Sequence, residues 1–461
     1  MEVTAEHERK LEAPEGFELP DLGGSPLEAR VFTSVYYDTA DGSLARAGIT
    51  LRRRTERGGS VWQLKLPTAD ARLELEQPGG PVAMPDELAA VLVAHLRHGP
   101  VSPVAELRTR RHGSLVARNG TTAEVTIDEV AVMDSHRVTG EFVEIEVELR
   151  SGDPKRLDEI AGELAVVGAR PTNGEPKLFR ALGIGSVREK RPHDPFEALR
   201  ALLRRQLREI LAHDPGTRLG SDPESLHDMR VAVRRSRALL RAGKALVAED
   251  VEALCAELRW LGEALGTVRD LDVLRERLHA EAAGLAQPDR TAANHMLRAL
   301  DRERTRERRA LLKTLSGERY FALLDRFDET LAALQPSGAD VSLDGLAARQ
   351  LRKLAKAQRA LAADPPDAAL HELRKLGKHM RYAYELAGRD RVVRRAKELQ
   401  DVLGEHQDAV VAEERLRALA SSAPPAGALA AGLLVAGERQ RRDDARLAWP
   451  AAWKRLLRAA A

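Results

Sequence analysis

Cysteine is all but missing: Cys255 is the single thiol in 461 residues. A disulfide framework and a cysteine-built metal centre are thereby excluded. Cys255 lies in LCAELRW among apolar helical positions and reads as buried filler rather than a nucleophile. Aromatic residues make up only 3% and are not interleaved with basic ones, so stacking platforms for single-stranded nucleic acid are absent and nucleic acid is an unfavoured partner. Long apolar runs are missing too. The most apolar stretch, GALAAGLLVAG at 427–437, is too short to span a bilayer. The first residues carry Glu where a signal peptide has a basic and then an apolar run. The expectation is a soluble, cytoplasmic protein without a membrane partner. Lysine is scarce as well, 13 residues against 60 arginines. In such a chain scattered arginines carry little information, and lysines carry more.

What is present divides in two. Net charge is +2, yet residues 1–190 hold 24 Lys+Arg against 31 Asp+Glu while the rest holds 49 against 40. The second part is the basic one. Over residues 1–180 apolar and charged residues alternate in short runs such as TLRRR, VWQLKL, RLELEQ, ELRTRR, TAEVTIDEVAV and EFVEIEVEL, the pattern of antiparallel strands. Helical patterns interrupt them at PDELAAVLVAHLRH and DPKRLDEIAGELAVVG. GIGSVREKRPHDP then reads as a linker, and beyond it the period becomes 3.6. The expected fold is α+β over residues 1–182, a linker at 183–195, and an all-α domain over 196–458 made of duplicated helical bundles.

The strands share a charged face. It collects Glu6, Glu8 and Lys10 from EHERK, then Arg52, Arg54, Lys65, Arg72, Glu74, Glu76, Arg108, Arg110, Asp128, Glu144, Glu146 and Glu148. Leu51, Leu64, Leu66, Leu73, Leu75, Leu107, Val143, Ile145 and Val147 fall on the opposite side. An open sheet with that face in water and a closed barrel with a polar lumen, its outside covered by the two helices, both fit the pattern. The chemistry favours the lumen. Clustered carboxylates are hard oxygen ligands for Mg²⁺ or Mn²⁺, and separate Arg and Lys sites donate to phosphate oxygens. Together they suit phosphoryl transfer on a metal-bound polyanion.

EHERK resembles the ExExK signature of the CYTH, or triphosphate tunnel metalloenzyme, domain. The resemblance continues in order through YYDTADGSLARAGITLRRR, WQLKLP, RLELEQP, LRTRR, TIDEV, FVEIEVEL and EPKLFRAL. It implies a closed antiparallel β-barrel tunnel in which Glu6, Glu8, Glu144 and Glu146 bind metal, one of these carboxylates helping to activate water, with Lys10 and Lys65 in the catalytic set. Lys10, Arg52, Arg54, Lys65, Arg108, Arg110 and Lys177 become the triphosphate-binding cations. Glu74, Glu76, Asp128 and Glu148 become lumen partners that hold those cations or a second metal. One departure is LEAPEGFELPDLGGSPLEARVF, whose Pro and Gly leave little of the helix often found after the first strand.

In the basic part HDMRVAVRRSRALLR (227–241) matches HELRKLGKHMRYAYE (371–385), and LGTVRD (265–270) matches LGEHQD (403–408). His227, Arg230, Arg234, Arg237 and Arg241 fall within roughly an 80° arc at 100° per residue, and His371, Arg374, Lys378 and Arg381 repeat the stripe. Arg349, Arg352, Lys356 and Arg359 form another stripe ahead of the second copy. Like charges so arranged repel and lack acidic i,i+4 partners, so an anion should neutralise them. HxxR lacks a second ligand at i+3 or i+4, which argues against zinc. These residues resemble the CHAD domain, a duplicated helical bundle that binds inorganic polyphosphate. The resemblance implies that His227, Arg230, Arg234, Arg237, His371, Arg374, Lys378 and Arg381 line a basic groove, with His406 near it or packed in a core. The expected function is a divalent-metal-dependent triphosphatase acting on inorganic triphosphate or a related compound, coupled to a polyphosphate-binding module that would associate it with polyphosphate granules. The alternatives are an adenylate cyclase in the same tunnel and a non-enzymatic polyphosphate adaptor.

Overall fold

The computed structural model describes all residues except 69–70, 82, 173 and 185–191. The linker expected at 183–195 falls largely on 185–191, outside the described residues. The chain divides into two compact units, Met1–Glu189 with Asp214–Leu219, and Lys190–His213 with Gly220–Ala461.

Alternation in the first unit produces ten strands: β1 (Glu2–Glu6), β2 (Glu8–Glu12), β3 (Ser25–Asp38), β4 (Thr50–Glu56), β5 (Gly59–Pro67), β6 (Arg72–Pro78), β7 (Ser102–Arg118), β8 (Thr121–Asp134), β9 (Arg137–Ser151) and β10 (Arg170–Pro171). Four helices accompany them: α1 (Ser43–Arg46), α2 (Asp86–Leu92), α3 (Arg156–Val166) and α4 (Lys177–Leu182). The strands form one antiparallel sheet in the order β1-β6-β5-β4-β3-β7-β8-β9-β2-β10. That ladder has two ends, so hydrogen bonding does not draw the closed barrel expected from the sequence. The chain itself links the ends: β1 and β2 are separated only by His7, and they pair with β6 and β9 respectively.

Directly opposed residues project to the same side of a sheet, so the register defines an inner face. Arg52 opposes Gln63 and Gln63 opposes Glu76, Lys65 opposes Glu74, and Lys10 opposes Glu146. Arg111 opposes Asp128, which opposes Glu144. The outer face is apolar where helices cover it. Leu157, Ile160 and Leu164 of α3 pack on Leu11, Val125, Ile145 and Val147, and Leu88, Val91 and Leu92 of α2 pack on Leu51, Trp62, Leu64 and Leu75. The outer side of β3, β7 and β8 is solvated instead, with Val31, Arg108, Arg110 and Glu129 exposed. One end of the inner face is apolar too: Leu178 of α4 packs against Tyr36, Leu107 and Val130.

The YYDTADGSL stretch has a structural reason. The Asp38 carboxylate accepts from the backbone N–H groups of Thr39 (2.7 Å), Leu44 (2.9 Å) and Ala45 (2.9 Å), tying β3 to the start of α1 through a turn in which Gly42 takes φ 71°.

The second unit is helical: α5 (Pro195–Leu219, in this unit up to His213), α6 (Pro223–Ala242), α7 (Glu252–Ala283), α8 (Asp289–Leu315), α9 (Glu318–Ala333), α10 (Leu343–Arg359), α11 (Asp367–Leu386), α12 (Asp390–Ala420) and α13 (Pro425–Ala460). Start signals are visible in the sequence. Asp222 accepts from Glu224 N–H ahead of Pro223 at the first turn of α6, and Ser342 accepts from Gly345 N–H at α10. Leu373, Met380, Leu399, Leu403, Trp449 and Trp453 build one core between α11, α12 and α13. Leu278, Leu297, Leu300 and Leu434 build another between α7, α8 and α13. Buried Cys255 sits on α7 with its thiol pushed up by burial, consistent with a packing role.

Candidate active site and basic helix face

The inner face of the first unit encloses a cavity of about 440 Å³ lined by Glu2, Glu6, Glu8, Lys10, Arg30, Arg52, Arg54, Lys65, Arg72, Glu74, Glu76, Arg111, Glu146, Glu148, Arg150 and Lys177 among others. Acid and base are interleaved within it. Glu6 takes both Lys65 contacts at 2.6 Å, and Glu74 lies 3.6 Å from the same ammonium. Lys10 donates to Glu144 (3.0 Å) and Glu146 (2.9 Å) and stands 3.8 Å from Glu8. Lys177, carried on α4, meets Asp128 at 3.0 Å, Glu144 at 2.9 Å and also Glu146. Arg111 grips Asp128 through a fork at 2.7 and 2.6 Å and reaches Glu146 as well. Arg52 donates to Gln63 (2.8 Å) and the Tyr36 hydroxyl (3.2 Å).

Titration follows from these contacts. Burial opposes the charge on Lys10, yet Glu146, Glu8 and Glu144 hold it above the ordinary lysine range. Burial likewise opposes the Glu146 carboxylate, and Lys10, Lys177 and Arg111 more than offset it, keeping the acid well below its usual range. Glu148 goes the other way: burial pushes it up to about 7, Arg150 opposes this, and Glu6 and Glu146 add to it. Arg54 forms no ion pair among the described residues. Its guanidinium lies 5.7 Å from the centre of the Phe32 ring, as does that of Arg111.

Metal ligation has to be judged against this pairing. Among the described residues no three His, Cys, Asp or Glu side chains converge as a ready-made ligand set. Glu144 and Glu146 are committed to Lys10, Lys177 and, for Glu146, Arg111. Glu6, Glu8 and Glu148 border the cavity, among the described residues Glu6 held by Lys65 alone at 2.6 Å and Glu148 by Arg150 at 2.7 Å; Glu8 opposes Glu148 in register, and carboxylate crowding shows in the raised Glu148. Their hard oxygens fit a divalent cation that also takes oxygens from a ligand.

In the second unit α6 packs against α11. Arg230, Arg234, Arg374, Lys378 and Arg381 come together there. Burial, then Arg374, Arg234, Arg230 and Arg381, push the Lys378 ammonium down to about 7. Burial and Arg230 lower Arg234 as well. Among the described residues Arg230 alone of these has a carboxylate partner, Asp270 at 2.7 Å; Arg381 lies over the Tyr382 ring at 4.6 Å. The first LG motif acquires a reason. A Cβ on Gly266 would meet Arg230 Nη2 at 3.3 Å, so this glycine gives the guanidinium room against the neighbouring helix; one on Gly404 would meet Arg374 Nη2 at 3.6 Å, an ordinary contact. His227 is half-buried and lowered by burial and then Arg269, and the His371 Nδ1 is buried without a partner.

A CYTH domain model matches residues 4–169 and a CHAD domain model residues 201–417. An uncharacterized protein of Mycobacterium tuberculosis, Rv2226, is 34% identical over 499 residues, covering 98% of this chain and 96% of its own length. The chain belongs to the CYTH–CHAD family. Among solved structures, PptA from Streptomyces chartreusis is 26% identical and covers 56% of this chain and 99% of its own, with a TM-score of 0.49. The CHAD domain of Ricinus communis is 28% identical over 58% of this chain and 94% of its own, with a TM-score of 0.46. HpAC1 from Hippeastrum, described as having a dominant triphosphatase activity, is 16% identical and covers 40% of this chain and 98% of its own, with a TM-score of 0.27.

Several site residues expected from the sequence of this CYTH–CHAD chain lie elsewhere. Arg108 and Arg110 do not face the cavity: both are exposed, and Arg110 reaches Glu129 at 3.5 Å on the outside. The cation that β7 supplies is Arg111, one position on. The assumption that Leu107 marks the outer wall fails because α4 makes the inner end apolar, and the solvated outer side of this wall takes the arginines. Arg30, Arg72 and Arg150 also border the cavity and were not singled out as binding cations. Arg111 could have been found by starting the alternation at Asp128, its opposed partner. Arg237 departs from the Arg230–Arg234 group toward Arg241 and Arg259. His406 is buried and bonds Asp367 at 2.9 Å, where Arg446 also binds at 2.7 Å, so it belongs to helix packing.

Proposed function

We propose that the first unit is a divalent-metal-dependent hydrolase of inorganic triphosphate or a related triphosphate compound, working in a tunnel closed by the continuity of β1 and β2, and that the second binds inorganic polyphosphate. The observation that carries the first half is the single cavity in which Glu6, Glu8 and Glu148 face Arg30, Arg52, Arg54 and Lys65. A triphosphate lying in it would meet guanidinium forks and an ammonium along its length. Glu6, Glu8 and Glu148 would hold Mg²⁺ or Mn²⁺, with Glu148 in place of the Glu144 and Glu146 that the family resemblance gives. The cation would supply charge neutralisation at the phosphate oxygens. Glu8, partly open to the cavity, would orient a water and accept its proton as the oxygen attacks the terminal phosphorus. The bridging P–O bond breaks toward pyrophosphate, whose charge Arg52 and Arg54 meet. Lys10 and Lys177 would hold Glu144 and Glu146 in place beneath.

The test is a metal-by-substrate panel with triphosphate, ATP, thiamine triphosphate and long polyphosphate. Phosphate release from triphosphate with Mg²⁺ or Mn²⁺, lost in Glu8→Gln, is the expected result. No release from any substrate by the wild type, with Glu8→Gln indistinguishable from it, would sink the hydrolase. Cyclic AMP from ATP would redirect it to a cyclase. For the second unit, neutralising Arg230, Arg234, Arg374 and Lys378 together should strongly weaken polyphosphate binding and leave triphosphate turnover intact.

A further inference from the structure

The stripe that the sequence draws along α6 divides. Arg230 to Arg241 spans eleven residues, about 16 Å along a helix axis, more than one helix crossing covers. Arg230 and Arg234 face α11 at Arg374, Lys378 and Arg381. Arg237 and Arg241 instead join Arg259 of α7, Lys353 of α10, and Lys375 and His379 of α11. Packing brings these helices together, since α6 lies against both α7 and α11, and α10 lies against α11. Arg237 with Arg241, and Lys375 with His379, are i,i+4 neighbours on their own helices.

The group is short of counter-charge. Among the described residues Arg237, Arg241, Arg259 and Lys353 form no ion pair, whereas Arg230, on the same helix as the first two, binds Asp270 at 2.7 Å. Two acids are near: Glu263 acts on Arg237, and Glu372 pairs with Lys375 on its own helix. The repulsion registers on both sides of the cluster. Burial, Arg241 and Arg259 lower Arg237, and burial, Arg241, Arg237, Lys353 and Lys375 lower His379.

We propose that Arg237, Arg241, Arg259, Lys353, Lys375 and His379 form a second anion site, separate from the Arg234–Lys378 groove, and that one sufficiently long inorganic polyphosphate chain occupies both. This rests on the proposed reading of the second unit as a polyphosphate binder. Guanidinium forks and ammonium points read phosphate oxygens and need nothing from a base or sugar. A flexible chain with charge at every phosphate can follow both clusters, and the second contact then forms at high effective concentration. Chain length becomes the selected property: a short oligophosphate fills one cluster, a long chain bridges two.

The experiment uses the full chain, inorganic polyphosphates of short and long defined length, and Arg241→Glu/Lys353→Glu beside the groove variant Arg234→Glu/Lys378→Glu. The second-site variant should lose about a hundredfold in affinity for the long chain and keep its affinity for the short one. Its dependence of log Kd on log salt should become shallower for the long chain only. The groove variant should weaken both lengths. Thermal unfolding checks that the variants are folded, and Arg241→Gln/Lys353→Gln provides a milder pair. Unchanged long-chain affinity and salt slope would overturn the second site. Equal loss for both lengths would merge it with the groove. Equal binding of a duplex oligonucleotide in competition would overturn the assignment to polyphosphate. A wild-type chain that binds neither length would remove the proposed binding function, and this site with it.

Discussion

Lys10 and Lys378 are both largely buried, and they titrate in opposite directions. Lys10 is held above the ordinary lysine range because Glu146, Glu8 and Glu144 surround it, whereas Lys378 is pushed down to about 7 by burial and by Arg374, Arg234, Arg230 and Arg381. The first unit neutralises Lys10, Lys65, Lys177 and Arg111 internally, with carboxylates already in place before any ligand enters. The second leaves its cations facing one another and depends on an anion from outside. Internal pairing preorganises a site for chemistry, and unrelieved repulsion makes a site for capture.

Replacing one charge in each network should therefore shift stability in opposite directions. Glu146→Gln leaves Lys10, Lys177 and Arg111 facing an amide in a buried site, and removing one partner of a buried ion pair costs about 3–5 kcal/mol. Arg234→Gln relieves repulsion and should leave stability unchanged or slightly higher. Chemical denaturation of both variants measures the difference. Acid should imitate the first change. Since the Glu146 acid is depressed on folding, its contribution is fully present above the ordinary glutamate range and is lost as pH falls through the lowered value. Loss of equal size in both variants would end the contrast.

The sequence shows the paired network better than it shows the phase of every strand. WQLKL and VEIEVE alternate cleanly because each belongs to a strand with one charged wall and one wall covered by α2 or α3. ELRTRR breaks the rule because apolar α4 fills one end of the interior and the outer side of β7 is solvated, so hydrophobicity no longer reports which way is out. Chain-end pairing was equally hidden. Nothing in the composition says that β1 and β2 part at His7 to pair with opposite ends of the sheet. In the helical unit the 3.6 period locates the stripes, but where α11 crosses α6 is set by packing, and that crossing separates Arg237 from Arg234.

A smaller effect sharpens the contrast at Lys378. Free protein holds this lysine largely neutral above pH 7. A polyphosphate in the groove would restore the proton, so binding should be tightest below pH 7 and weaken by up to about tenfold per pH unit above it. The groups that face it include Arg230, Arg234, Arg374 and Arg381, with the acids Asp270 and Asp408 further along the LG motifs. Between pH 7 and the ordinary lysine range the unfolded chain holds the proton and the folded chain does not, so stability without ligand should rise with pH in that window. Calorimetry at pH 8 in buffers of different ionisation enthalpy should detect uptake of protons on binding. Lys378→Arg should flatten the pH dependence, and a flat wild-type profile would contradict the geometry.

The smallest effect concerns the arginine in the first unit that behaves like those of the second. Arg54 makes no ion pair among the described residues, and burial and Arg52 lower it, as burial and Arg230 lower Arg234. What holds it is Phe32, buried on the inner face beside Thr109, with the ring 5.7 Å from its guanidinium. An aromatic ring in that position steadies a cation by about 0.5–1 kcal/mol without neutralising it. The charge therefore stays available to a phosphate. Phe32→Leu should weaken triphosphate binding about two- to fivefold, with Phe32→Tyr restoring it and kcat unmoved. If Phe32 acts through Arg54, the same change made on an Arg54→Ala background should have no further effect on binding. An additive double-mutant cycle, read by calorimetry with inorganic triphosphate, would instead make Phe32 a packing residue and leave Arg54 aimed by the strand alone.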